Sequence, residues 1–211
     1  MHHFNSSDFK NFSKVYRLNL INSVTGYKSA NLIGSQSLEG KENLAIFSSV
    51  IHLGSNPALI GFILRPTTVP RHTYSNIKST GIFTLNAVTK KVISDAHHTS
   101  AKYPDFISEF DKTNFEVEKK ENWQAPFVKE SPLQMGCRFK NEYHIKENDT
   151  ILIDSSIEHI FVSQTLLLDD GWVQLDKAGI VTINGLDGYS ETKLLSRFKY
   201  ARPKRSELLY I

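Results

Sequence analysis

The stretch from residue 43 to residue 86 decides the fold. It opens with NLAIFSSVIHL (43–53) and passes Asn56-Pro57 into ALIGFIL (58–64). It then crosses Arg65-Pro66 and a short loop into TYSNIKS (73–79), and closes with GIFTLN (81–86). The first two runs are rich in β-formers and apolar at odd and even positions alike, the pattern of strands buried on both sides. Ser48 and Ser49 stand in the middle of the first. Neighbouring side chains of a strand point to opposite faces, so at least one hydroxyl is expected in buried surroundings, where it needs a partner. That partner is either nearby main chain or the polar edge of a ligand ring. TYSNIKS reads as one or two helical turns with a hydroxyl at the start and Gly81 as the stop. Ile82 to Val88 reads as a further strand.

Working outward, residues 29–36 (SANLIGSQ) form a short strand, and Ser37 to Glu42 a hairpin loop with glycine at the turn. Gly34 to Glu42 has a passing likeness to a phosphate-binding P-loop. However, five residues separate its glycines, and Glu42 stands where Ser or Thr must hold magnesium. The hairpin reading is therefore preferred. Residues 9–22 are weakly helical in spacing, so about 1–24 is expected to be an arm or short helix. Lys90 to Ala101, and Phe106 to Phe110 beyond the break at Pro104, read as two short helices. Later strands are expected at 133–145, 150–153, 157–168 and 180–183, with turns at Asn148-Asp149 and Asp169-Asp170-Gly171. Strands, then helices, then strands, without regular alternation, exclude a doubly wound parallel sheet. The expected fold class is mainly β and antiparallel, a barrel or sandwich with inserted helices. No repeat or linker marks a boundary, so residues 1–211 are read as one domain.

Composition narrows the function. With 25 Lys and Arg against 22 Asp and Glu, the net charge is +3, which argues against a dedicated nucleic-acid binder. Near the C-terminus, Phe198 and Tyr200 alternate with Arg197, Lys199, Arg202, Lys204 and Arg205. So short a charge run reads as a solvated tail. Cys137 is the single cysteine, so neither an internal disulfide nor a cysteine-based zinc cluster can form. His97 and His98 are adjacent, and on a helix they point about 100° apart. That geometry favours surface histidines over a metal site. The longest apolar run, Ala58 to Leu64, falls far short of the about 20 residues of a membrane span. The opening MHHFNSS lacks a basic region followed by an apolar stretch. A cytoplasmic chain without membrane contact is expected. No Gly-x-Gly-x-x-Gly or Gly-x-Ser-x-Gly motif is present.

One place favours an anion. The strand ending at Arg65 leads into a loop that carries Arg71, and a helix starts near Thr73. A helix start presents free N–H groups and partial positive charge. Two arginines and a hydroxyl beside it would make a phosphate cradle. The plain alternative is two surface arginines and an ordinary cap.

These residues also carry a resemblance. The segments Asn43 to Val50, Asn56-Pro57, Arg65-Pro66, Arg71-His72-Thr73-Tyr74-Ser75-Asn76-Ile77 and Gly81 to Asn86 together resemble the flavin reductase-like proteins. These are FMN-binding split β-barrels. Ala96-His97-His98-Thr99-Ser100-Ala101-Lys102-Tyr103, Ser108-Glu109-Phe110, Ala125-Pro126-Phe127, Glu130-Ser131-Pro132, Gly185-Leu186-Asp187-Gly188-Tyr189 and Tyr200-Ala201-Arg202-Pro203 fit the flavoprotein oxygenase and flavoredoxin branch. The resemblance runs from about residue 25 to 203. One departure lies upstream. Many relatives lead into the first barrel strand with Pro-Arg-Pro, whereas here Thr25-Gly26-Tyr27-Lys28-Ser29 stands in that place, with Lys28 as the remaining cation.

The resemblance implies an FMN whose phosphate lies near Arg65, Arg71, Thr73 and Asn76. Its ring would lie against Ser48, Ser49 and Val50, with main-chain N–H groups reaching the N5 or O2 side. Asn31 would add an amide, and His97 would lie close by. It further implies a homodimer with FMN near the subunit interface, NAD(P)H as hydride donor to FMN, and a second electron acceptor that could be a partner monooxygenase. The flavin carries such chemistry, so no catalytic side chain is required. A flavin reductase-type oxidoreductase is the first expectation. An FMN-binding electron carrier or flavin-storage protein without NAD(P)H turnover is the alternative.

Overall fold

The computed structural model describes residues 1–120 and 122–203. Two helices come first, α1 (Ser6–Asn11) and α2 (Lys14–Ser23), capped by Asn5 and Ser13 and burying no residue. The barrel strands follow: β1 (Lys28–Ser29), β2 (Asn31–Gln36), β3 (Glu42–Phe47), β4 (Ile51–Ser55) and β5 (Ala58–Leu64). Helix α3 (His72–Thr80) leads into β6 (Ile82–Ala87). A helical insertion holds α4 (Ile93–His98) and a 3-10 turn at Glu109–Lys112. The chain then returns to strands as β7 (Val117–Lys120), β8 (Trp123–Val128), β9 (Leu133–Ile145), β10 (Thr150–Val162), β11 (Val181–Asn184) and β12 (Gly188–Glu191).

Seven strands form one sheet in the order β3-β2-β6-β9-β10-β5-β4. Every pairing in it is antiparallel. β3 and β4 are consecutive in sequence yet lie at opposite ends of this sheet. The residues between them, Ser48 to Val50, therefore join its two ends and curl the sheet into an incompletely closed barrel. This corrects the expectation of one strand over 43–53. The apolar run is two strands with a bend between them, and the two serines occupy the bend, not the middle of a strand. A three-stranded sheet, β1-β11-β12, and the β7-β8 hairpin pack alongside.

Two further expectations change. The strands expected at 150–153 and 157–168 are one strand, β10, which bends at register shifts beside Asp154-Ser155 and Ile157-His159. A bulge lets a polar triplet, Asp154-Ser155-Ser156, stay within a strand instead of ending it. The hydroxyl expected to cap α3 does not do so. Arg71 occupies the cap position without a side-chain bond, while Gly81 ends the helix at φ +74° as expected.

Besides a smaller cluster of Trp123, Ala125 and Phe127, two larger apolar clusters fill the interior. One gathers Ile33, Phe62, Ile77, Phe83, Leu85 and Ile153 under α3. The other gathers Leu32, Leu44, Val88, Ala96, Phe110 and Val181 beneath the insertion. Gly34 is required where β2 crosses β8, because a Cβ there would lie 2.2 Å from the Pro126 carbonyl oxygen and 2.6 Å from Thr84 Oγ1. Among the described residues no helix is long and apolar enough to cross a membrane. Lys204 and Arg205 of the expected tail lie outside the described residues. Arg197, at the start of that tail, pairs with Asp170 at 2.6 Å and stacks over Trp172.

Candidate functional site

The bend at Ser48-Ser49-Val50 is the centre of the candidate site. Its residues are half-buried, and among the described residues none of their three main-chain N–H groups has a hydrogen-bond partner. Three consecutive main-chain donors are thus left for a ligand or for solvent. The Ser49 hydroxyl is already engaged. It donates to the Ile63 carbonyl at 3.0 Å and accepts the Ile63 N–H at 3.1 Å. On β5 it thus takes the place of a strand neighbour just past the point where β4 stops pairing. Ser48 makes no side-chain hydrogen bond among the described residues. Asn31 is brought to the same end of the barrel. Its amide donates to Ser29 Oγ at 2.9 Å, and Ser29 Oγ donates to the Val50 carbonyl at 3.4 Å. Ser29 was missed by the sequence reading. The signal was present, since Ser29 and Asn31 sit two apart and so share one face of an extended chain.

Arg65 follows Leu64 directly at the end of β5, two residues beyond Ile63. It is exposed and makes no ion pair among the described residues. Arg71 closes the following loop by donating Nε and Nη2 to the Pro66 carbonyl at 3.3 and 3.2 Å. Thr73 and Asn76 face inward from α3. Thr73 Oγ1 accepts from Asn43 Nδ2 at 3.0 Å, and Asn76 Nδ2 donates to Ser35 Oγ at 3.1 Å. This buried cluster sits at the Asn43 end of β3, and the Ser48 bend lies past the other end. At about 3.3 Å per residue the two are roughly 16 Å apart. The structure thus gathers Asn31, Ser48, Ser49, Val50 and Arg65 at one end. Thr73 and Asn76 brace the other end of the strand, with Arg71 in the connecting loop.

His97 stands apart from these. Its Nδ1 lies 3.1 Å from the Tyr189 hydroxyl on β12. Tyr189 pairs with Ile183, which pairs with Lys28 beside Ser29. His97 is therefore linked to the bend only through three strands. Burial pushes the Tyr189 hydroxyl up to about 12, with Asp187 adding to it. His98 bonds the Tyr103 hydroxyl at 2.6 Å, so the two histidines serve different partners. No group of three or more His, Cys, Asp or Glu among the described residues is placed to hold a metal.

Glu109 was quoted in sequence only as part of a motif. Its carboxylate is 6% exposed and accepts the Leu44 N–H at 3.0 Å, capping the free edge of β3. Burial raises its pKa above the ordinary carboxylate range, outweighing the Leu44 bond and the charges of His72 and Lys41. Together with the packing of Leu44 against Ala96 and Phe110, this bond ties the helical insertion to the strand that leads into the bend.

The chain matches the flavin reductase like domain over residues 28–171. Among solved structures it is similar to a split-barrel-domain protein assigned as a flavin reductase from Shewanella frigidimarina NCIMB 400. Identity is 40%, coverage is 95% of this chain and 100% of that one, and the TM-score is 0.92. It shares its fold with nitrilotriacetate monooxygenase component B from Bacillus cereus, at 18% identity, TM-score 0.80 and coverage of 95% and 98%. It also shares it with flavoredoxin from Desulfovibrio vulgaris, at 18% identity, TM-score 0.72 and coverage of 83% and 92%. No match was found among curated proteins. The antiparallel sheet joined end to end at residues 48–50, the profile match and the Shewanella similarity agree: the chain belongs to the flavin reductase-like family of split-barrel flavoproteins.

Proposed function

We propose that the protein binds FMN at the Ser48–Val50 bend and acts as an NAD(P)H-dependent oxidoreductase of the flavin reductase type. The observation that carries this reading is the row of main-chain N–H groups at the half-buried bend residues, without partners among the described residues and close to Asn31. A flavin ring edge lined with nitrogen and oxygen acceptors is a natural complement to such donors. The residues fit the group in charge as well. Arg65, exposed at the end of β5 and without an ion pair among the described residues, would meet the phosphate in this reading, and Arg71 would add its remaining N–H groups from the same loop.

When bound, FMN supplies the chemistry, taking a hydride from NAD(P)H and releasing electrons to a second acceptor. The chain's own part is to hold and orient. Ser49 fixes the bend on β5, so the three N–H groups keep a constant direction. Ser29 relays Asn31 onto the Val50 carbonyl and sets where that amide stands. In this reading Thr73 and Asn76 act through Asn43 and Ser35, as positioning residues that hold α3 against β3. His97, held on the Tyr189 hydroxyl away from the bend, takes no part in holding the cofactor in this reading.

The protein works as a homodimer in this proposal. β4 is an edge strand that exposes Ile51 and Leu53. A second copy would cover that edge, which unpaired strands require. The B component of a monooxygenase among the fold neighbours supports a partner monooxygenase as the second acceptor, and the cytoplasm as the site of action is part of the same proposal. The test is anaerobic visible absorbance of the FMN-loaded protein, read after adding NADH and then NADPH. Rapid bleaching of the flavin bands is expected. Bands that persist with both donors would favour the electron-carrier alternative, and failure to bind FMN at all would overturn the reading.

A further inference from the structure

The second ligand of such a protein is a dinucleotide, and only its nicotinamide end needs to reach the flavin. A groove of about 620 Å³ lies at the end of the barrel between the loop after β5 and the β9–β10 turn. The strand register places it relative to the bend. Ser49 is bonded to Ile63, Ile63 pairs with Leu152, and Leu152 pairs with Tyr143. One residue further along, Leu64 pairs with Ile151 and Ile151 with His144, and both Ile151 and His144 line the groove. β10 lies one strand spacing of about 4.8 Å from β5 and β9 lies two, so Ile151 is about 6 Å and His144 roughly 10 Å from Ile63, the residue that holds Ser49. Arg65 and the Pro66–Thr68 loop lie between.

The lining has two characters. Pro66 and Ile145 give a partly exposed apolar surface suited to the flat face of a base, and Ile151, which also lines the groove, is itself buried. Lys146 and His144 stand exposed on one wall, and the Thr67 and Thr68 hydroxyls stand on the other. The wall also carries one carboxylate, Asp149. Glu142, beside His144 at 3.7 Å, is turned to Lys78 at 3.2 Å and to the Tyr74 hydroxyl. Lys146 makes no ion pair among the described residues. An apolar surface flanked by an imidazole and by an ammonium that makes no ion pair among the described residues fits an adenosine that carries an extra phosphate.

We propose that this groove receives the adenosine end of the nicotinamide donor and that Lys146, with His144, selects NADPH by contact with its 2′-phosphate. The choice of ligand rests on the flavin reductase reading above, whereas the groove and its cations do not.

The test titrates 2′,5′-ADP and 5′-AMP separately into the FMN-loaded protein by calorimetry. The same pair is titrated into the Lys146→Glu variant, with a thermal melt confirming that the variant folds. Tighter binding of 2′,5′-ADP by about tenfold or more is expected, with that preference lost in Lys146→Glu. In steady-state turnover the ratio of KM for NADH to KM for NADPH should fall by a similar factor in the variant. Equal binding of the two probes, or a preference that survives Lys146→Glu, overturns the groove assignment. If NADH and NADPH bleach the flavin while the probes bind equally, the groove falls and the flavin reading stands. If no nicotinamide bleaches the flavin but the 2′,5′-ADP preference is present and lost in the variant, the reductase reading falls and the groove stands as a site for a 2′-phosphorylated adenosine.

Discussion

Ser49→Ala is the substitution that separates the structure of the bend from its chemistry. The Ser49 hydroxyl makes two hydrogen bonds to one residue, donating to the Ile63 carbonyl at 3.0 Å and accepting its N–H at 3.1 Å. Alanine removes both and leaves a strand donor and acceptor partly shielded from water. At about 1 kcal/mol per bond the loss is about 2 kcal/mol. For a chain of this size each kcal/mol moves Tm by about 2–4 °C, so a fall of about 4–8 °C is expected. Ser48→Ala is the internal comparison. Its hydroxyl has no partner among the described residues, so its Tm without cofactor should stay within about 1–2 °C of the parent, as a change within ±0.5 kcal/mol would. The assay is a urea or thermal melt of both variants without cofactor, followed by an FMN titration. Ser49→Ala should also weaken FMN, because the bend that aims the N–H groups is no longer pinned to β5. Equal stability of Ser49→Ala and the parent would refute this reasoning. So would a loss in Ser48→Ala as large as that in Ser49→Ala.

Other consequences can be checked alongside. Gly34→Ala places a Cβ 2.2 Å from the Pro126 oxygen and against Thr84 Oγ1, whose bond to that oxygen is 2.6 Å. Overpacking together with loss of that bond should cost about 3 kcal/mol or more, seen as a lower urea midpoint. Burial raises the pKa of Glu109 above its value in the unfolded chain, so the folded state holds its proton more tightly. The stability linked to that proton is full below the ordinary carboxylate range and is lost as pH rises through the raised pKa. Glu109→Gln, which keeps an acceptor for Leu44, should therefore gain stability over the parent at pH 7 and gain less at pH 4, measured by denaturant melts at both. Cys137 is buried, and burial pushes its thiol well above the ordinary range. It should stay unreactive towards an aromatic disulfide reagent until the protein is unfolded, and rapid labelling of the native chain would contradict its placement.

The sequence was most legible where one local signal had no competitor. ALIGFIL matches β5 throughout, the Ser37–Glu42 loop is a hairpin with Gly40 at φ +86°, and Gly81 ends α3 in the left-handed conformation. The break at 48–50 was hidden because the run 43–53 has no Gly or Pro. Its cause is tertiary, since the chain must leave one end of a seven-stranded sheet and join the other. The β7–β8 hairpin was not expected because Glu118-Lys119-Lys120 and Pro126 argue locally against strands. It forms because Thr84, Asn86 and Gln134 hold it, through the Pro126 carbonyl, the Val128 main chain and Glu118. For the site, spacing alone brought Arg65, Arg71 and Thr73 together as a cradle. It could not tell that the Thr73 hydroxyl turns inward to Asn43, because register across three elements decides that. Ser29 and Glu109 act through contacts 21 and 65 residues away, beyond any local pattern.

The central claim is that the N–H groups of Ser48, Ser49 and Val50 hold the flavin. The most direct measurement follows their backbone amide resonances during an FMN titration of the cofactor-free protein. The account predicts that these three amides shift together, saturate with the binding curve and become protected from hydrogen exchange. Saturable FMN binding that leaves them unshifted and unprotected would contradict it.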